Sequence, residues 1–308
     1  MEGFIAPKYA KNLERPENII YISYSQFSGY MKCPQHWKLC YIDKIKKKEA
    51  TIHTVFGTAM HCVIQEWIKI MYLETVKKSE QYDFDKRLLE EIKAEYKKGL
   101  EQNNNVHFSD KEQLSEFYLD GLETLNYLRK KRKTYFDRKN EELIGIELPL
   151  YVEINGVCLI SFLDLVFRDK ITNKIKIRDL KTSTKGWTKW DKDDEVKVAQ
   201  LILYKIYFAK KYNIPVDDID VDYVILKRKV QTDLAYPIPR VSVFKPASGK
   251  VTQNKVNKMF EGFIAGGFND GQYNKEKEYD ALTGRNEFNC RFCEFNNNEE
   301  LCPKSKRK

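Results

Sequence analysis

Apolar side chains return every three or four positions between residues 55 and 75. Val63, Ile64, Trp67, Ile68 and Met71 fall on one side, which predicts an amphipathic helix. Residues 23–41 open on Ser23 and Ser25, both able to cap a helix, and continue at helical spacing. Pro34 suits the first turn of a second short helix there. Residues 84–136, rich in Lys, Glu, Leu and Tyr, predict two or three more amphipathic helices. The texture changes near Glu142. Residues 143–153, 157–168 and 174–180 are short runs of β-branched and apolar residues, and Asn155-Gly156 is a two-residue hairpin turn signal. Helical spacing resumes over 193–211, with Val198, Leu201, Ile202 and Ile206. A further strand is expected over 219–229 and a late helix over 252–264. Lys46–Lys48 and Asn296–Asn298 read as loop and the terminal KSKRK as a solvated tail.

In that order the elements make one α/β domain over 1–308, with a helical N-terminal half. Its parts are an N-terminal segment (1–55), a helical region (56–140), an α/β core (141–230), and a C-terminal helix with cysteines (231–308). At 308 residues and 42% hydrophobic, the chain has the material for a sizeable core. No run approaches the roughly 18 uncharged apolar residues of a membrane span. The N-terminus lacks a basic-then-apolar leader pattern, so a cytoplasmic location and no membrane partner are expected. Lys and Arg number 54 against 45 acids, a net charge of +9 that suits a polyanion. Lysine predominates over arginine, which favours phosphate contact over base reading.

The candidate chemistry lies at the ends of two predicted strands. Asp164 stands in SFLDLVF, where an aspartate between Leu163 and Leu165 is costly to bury unless paired or metal-bound. Asp179 and Lys181, in KIKIRDLKTS, are two apart and so emerge on one face of a strand. If the two strands are neighbours, two carboxylates and an ammonium converge, a set that suits Mg²⁺ or Mn²⁺ and phosphoryl chemistry. Glu147, in GIELPL, is placed to join them. Spacing alone leaves the plainer alternative open, an Asp179–Lys181 surface salt bridge with Asp164 at a strand end. His61, taken alone, is equally a satisfied core histidine.

Taken together, FGTAMHCVIQEW, GIELPL, LDLVF, RDLKTS and QLILY resemble the RecB-like branch of the PD-(D/E)XK nucleases. The matching residues are Gly57 with His61, Glu147, Asp164, Asp179 with Lys181, and Gln200 with Tyr204. The resemblance implies a restriction-endonuclease-like core, a mixed central sheet flanked by helices. It implies that His61, Asp164, Asp179 and the Leu180 carbonyl ligate a divalent metal, and that Glu147 is an outer or second-metal ligand. Lys181 would be the catalytic lysine, with Gln200 and Tyr204 facing the site and the DNA. Ser161 and its neighbours depart from the family, which has a glycine near the first aspartate. Trp187 and Trp190 fit base stacking or packing equally well.

Seven cysteines, an odd number, argue against a disulfide framework. Cys33, followed by Pro34, and the group Cys290, Cys293 and Cys302 resemble the iron–sulfur subgroup of the same family. That subgroup includes AddB-type subunits and CRISPR-associated RecB-type exonucleases. The resemblance implies a [4Fe–4S] cluster. The eight residues between Cys293 and Cys302 exceed the expected spacing, and a structural Zn²⁺ is the alternative, with His36 a rival ligand. Cys40, Cys62 and Cys158 read as inert core. The expected function is a metal-dependent DNA nuclease, an exonuclease serving recombination, repair or replication, binding DNA by its backbone. The alternatives are an inactive DNA-binding scaffold and a subunit that works with a helicase, since the chain has no Walker motif of its own.

Overall fold

The structure is a computed structural model that describes residues 3–10, 13–45, 49–231, 235–236 and 238–308. The expected loop at Lys46–Lys48 lies outside the described residues. The chain opens with β1 (Phe4–Ile5) and β2 (Ile20–Ile22), then α1 (Tyr24–Lys32) and α2 (Pro34–Trp37). Ser23, and not Ser25, caps α1 by accepting from the Gln26 amide. Cys33 is extended, as a residue before proline prefers, and this splits the segment where Pro34 predicts a second helix. The helical half follows as α3 (Ile52–Leu73), α4 (Val76–Glu80), α5 (Phe84–Gln102), α6 (Lys111–Lys130) and α7 (Arg132–Tyr135). Thr51 and Thr54 close a capping box at the start of α3.

The core strands are β3 (Glu141–Ile154), β4 (Val157–Asp169) and β5 (Ile175–Ser183). Asn155 and Gly156 both have positive φ, 49° and 79°, as the tight hairpin between β3 and β4 requires. Then come α8 (Lys189–Asp193), α9 (Glu195–Tyr212), β6 (Ile219–Lys227), β7 (Val241–Phe244) and α10 (Lys250–Gly267). A small hairpin, β8 (Phe268–Asn269) with β9 (Gln272–Tyr273), and a short α11 (Phe288–Arg291) complete the chain. The seven-stranded sheet runs β1-β3-β4-β5-β6-β7, with β2 also paired to β4. Among the strand pairs of the described residues, β5–β6 and β2–β4 are parallel and the rest antiparallel. This is the mixed sheet the sequence predicts. Among the described residues no helix is long and apolar enough to cross a membrane.

Each face of the sheet carries its own core. Phe27, Trp37, Ile202, Phe208, Phe260 and Phe263, from α1, α2, α9 and α10, pack on one face. Met60, Ile64, Trp67, Leu88, Phe117 and Leu125, from α3, α5 and α6, pack on the other. Within the sheet Arg178 of β5 stands opposite Asp222 of β6. Arg178 Nε donates to Asp222 Oδ2 at 3.3 Å, and both are buried. Removing one partner of such a pair strands a charge in the interior. Asp222→Leu should therefore lower the urea-unfolding free energy by about 3–5 kcal/mol, and Arg178→Met/Asp222→Leu should recover most of the loss. Equal losses in the single and double variants would show that the pair is not what the two residues contribute.

Candidate active site

The site forms where two strand pairs part. β4 is hydrogen-bonded to β5 only from Leu165 to Arg168, while its far end, Val157–Leu159, pairs with β2. Asp164 is therefore the first β4 residue beyond the β5 ladder. Its Oδ2 accepts from the Leu180 amide at 2.7 Å, so a side chain holds the donor where the ladder stops. The pleat also breaks here. Leu148 and Leu163 belong to the core on the α9 side, whereas Ile146 and Leu165, two positions away, belong to the α3 side. Strand alternation would put residues two apart on one face. Glu147 and Asp164 sit at the two breaks, and Glu147 takes φ 50°, a left-handed conformation that costs an ordinary residue about 1–2 kcal/mol.

Helix α3 brings His61 and Gln65, one turn apart, to the same place. Gly57 permits the approach: a Cβ there would lie 3.3 Å from Thr182 Oγ1 of β5. His61 Nδ1 is 3.6 Å from Asp164 Oδ2. One donor atom each from His61, Glu147 and Asp164 lie within 4.8 Å of one another, a spacing that suits a cation. Asp179 stands outside that trio. Its buried Oδ2 accepts a charge-assisted hydrogen bond from Lys181 Nζ at 2.6 Å. Glu147 therefore lies within this trio, and Asp179 is engaged with the lysine. Gln200 Nε2 donates to Tyr204 Oη at 2.8 Å on α9.

The electrostatics fit a site built for positive charge. Burial, and then repulsion from Asp179, raise the Asp164 carboxyl well above its ordinary value. Burial also raises Asp179, against the pull of Lys181. Burial works against the Lys181 ammonium, but Asp179 and Asp164 hold it above its usual value. Burial and the Lys181 charge press the His61 imidazole down to about 4, so it is neutral and free to donate a lone pair. A cation beside these groups would offset the cost of ionising Asp164. An open cavity of about 400 Å³ adjoins the cluster, lined by Tyr24, Lys32, Lys181, Trp187, Lys197 and Gln200. Trp187 packs on Tyr223, ring centroids 4.7 Å apart, while Trp190 is 78% exposed.

The model of the PD-(D/E)XK nuclease superfamily matches residues 21–302, a span containing every residue of this cluster. The chain belongs to that superfamily. No curated protein matches it. Among solved structures it is similar to the Eubacterium rectale protein named "Putative exonuclease", at 12% identity and a TM-score of 0.48, over 90% of this chain and 86% of that one.

In this PD-(D/E)XK chain the cysteines form a second locus. Cys33, Cys290, Cys293 and Cys302 line one cavity of about 290 Å³. They are close enough that Cys33 and Cys302 each act electrostatically on Cys290 and Cys293. A turn absorbs the long Cys293–Cys302 spacing: Asn298 Oδ1 accepts from the Glu300 and Leu301 amides, and its carbonyl from Cys302. His36 Nε2 lies 3.3 Å from Glu294. Gln35 Nε2 donates to the Leu301 carbonyl and Asn289 Nδ2 to that of Lys32, so polar contacts also join the two ends of the chain. The reading of three inert core cysteines needs correction. Cys158 is fully buried, but Cys40 is only half-buried, beside His36. Cys62 lies among Glu66, Glu91 and Arg87, because one side of α3 faces a polar network.

Gln65, buried and hydrogen-bonded to Glu147, is the site residue the sequence reading missed. Its signal was available: it follows His61 by four, on the same helix face. The raised Asp164 value has a consequence for stability. A carboxyl raised on folding favours the fold below its unfolded value, and that contribution is lost as pH rises through the folded one. In EDTA, Asp164→Asn should therefore melt higher than the parent at pH 8, with the advantage fading towards pH 4. A gain independent of pH would contradict the assignment of that charge.

Proposed function

We propose that this nuclease is of the RecB-like branch and hydrolyses DNA with Mg²⁺ or Mn²⁺, acting as an exonuclease. The observation that supports it most is the meeting of His61, Glu147 and Asp164 beside the Asp179–Lys181 pair. On this reading, His61, Asp164, Glu147 and the Leu180 carbonyl would hold the cation, while Asp179, held by Lys181, borders them. The bound metal would supply a water acidified for attack and charge to stabilise the pentacoordinate phosphoryl transition state. Lys181, fixed by Asp179 on the open side, holds the attacking water in line and meets the phosphate's developing charge. Gln200 and Tyr204 steady the neighbouring backbone. Lys32 and Lys197, on the cavity wall, are placed to touch phosphates, which carry no sequence information.

The scaffold alternative is disfavoured, because a module that only binds has no use for a buried carboxylate cluster that costs stability. For the four thiols we propose one cofactor that staples the chain ends, a [4Fe–4S] cluster in preference to zinc. Four thiolates on one cavity suit either.

On end-labelled DNA with Mn²⁺ the protein should release nucleotides from ends and leave circles intact. Lys181→Met should lower turnover about 10²–10³-fold while still binding DNA. Unimpaired cleavage by that variant would remove Lys181 from the chemistry, and cleavage of circles would refute the exonuclease reading. With the same variant, affinity should fall smoothly with salt and hardly change with base sequence. A preference above about a hundredfold for one sequence would require base contacts. Anaerobically purified protein should contain iron and sulfide; stoichiometric zinc without iron would reject the cluster.

A further inference from the structure

We infer that Gln65 is a positioning residue, a neutral clamp that holds Glu147 in place while leaving its charge free for a cation. The inference rests on the metal reading proposed above. Gln65 is 2% exposed. Its Nε2 donates to Glu147 Oε1 at 2.6 Å and lies 3.4 Å from the Asp164 carbonyl oxygen, so a single amide spans both strands at the break in the pleat. Glu147 is also the residue with left-handed backbone, a conformation that needs a fixed side chain or a packed surround to persist. The amide supplies the first. It fixes the Oε1 end of the carboxylate and adds no charge to the group that Glu147 forms with His61 and Asp164.

The neutrality of the clamp is the informative part, and α3 itself provides the comparison. One residue on, Glu66 joins Cys62 and Glu91 in a second group whose donor atoms also lie within 4.8 Å of one another. There the partner is Arg87. Its Nε and Nη2 reach the two Glu66 oxygens at 2.8 Å each, and Nη2 also pairs with Glu91. That acidic cluster carries its counter-charge within it. The cluster at Glu147 has a neutral amide in the corresponding place, so no cationic side chain occupies that carboxylate oxygen. A lysine or arginine at position 65 would compete with the metal for the same carboxylate.

Titration of Mn²⁺ into the metal-free protein by calorimetry tests this, with melting in EDTA to verify that each variant is folded at the titration temperature. Gln65→Lys puts a cation beside Glu147. It should melt no lower than the parent and bind Mn²⁺ about 10–100-fold more weakly. Gln65→Met removes the clamp without adding charge and should weaken Mn²⁺ about tenfold. A purely structural role would lower the melting temperature and leave the affinity of the folded protein unchanged. Mn²⁺ affinities of both variants within twofold of the parent overturn the inference. If Gln65→Lys does not fold, Gln65→Met decides: a tenfold loss supports the clamp, and no loss overturns it. A parent that binds no Mn²⁺ overturns the metal reading and this inference with it, whereas normal binding by parent and variants overturns this inference alone.

Discussion

Like charges held out of water repel, and at the centre of this protein Glu147, Asp164 and Asp179 meet, among the described residues, one ammonium, that of Lys181. Burial raises both Asp164 and Asp179, and repulsion from Asp179 and Glu147 raises Asp164 further, so ionising this group of carboxyls is costly without an added cation. The local structure holds this unfavourable arrangement. The parting of β4 from β5 gives Asp164 a backbone amide to bind. The left-handed Glu147 turns a second carboxylate in. Gly57 lets α3 lie close to β5 and bring in the His61 imidazole, kept neutral by burial and the Lys181 charge. None of these stabilises the fold on its own. They make sense as preorganisation around a positive charge.

The two cores explain how such a site survives. The strand pair that fails at Asp164 is covered by α3 on one face and α9 on the other, and both helices bury nearly continuous apolar surface. Below the site the Arg178–Asp222 pair fixes β5 against β6, so the strand carrying Asp179 and Lys181 is held where the one carrying Asp164 turns away. The rigidity comes from packing, and the strain is confined to a few backbone positions.

Much of this was legible in the sequence, for reasons that are local. An aspartate inside SFLDLVF, and Asp-x-Lys after an apolar run, contradict the pattern around them, and such contradictions mark functional positions. The hairpin followed from Asn155-Gly156, and the broken first helix from Pro34. What escaped depends on distance in space. β1, β2 and β7 have 2, 3 and 4 residues, too short to carry a period. The shift in the pleat appears only when the two cores are assigned, because Glu147 looks like any polar residue in a strand. Gln65 reads as one polar residue among several on α3 until it is found buried with Glu147 against it. Cys62 falls in an apolar stretch, yet Arg87 and Glu91 reach it from α5, which no local pattern could announce.

The central claim is that His61, Glu147 and Asp164 form the cation site, with Asp179 held back by Lys181. The most direct measurement is an anomalous difference map from a crystal of the protein soaked in Mn²⁺. The account predicts one strong peak about 2–2.4 Å from a His61 nitrogen and from oxygens of Asp164 and Glu147. A peak bound by Asp179 with the Lys181 pair broken and Glu147 turned away, or no peak in the cluster at all, would contradict it.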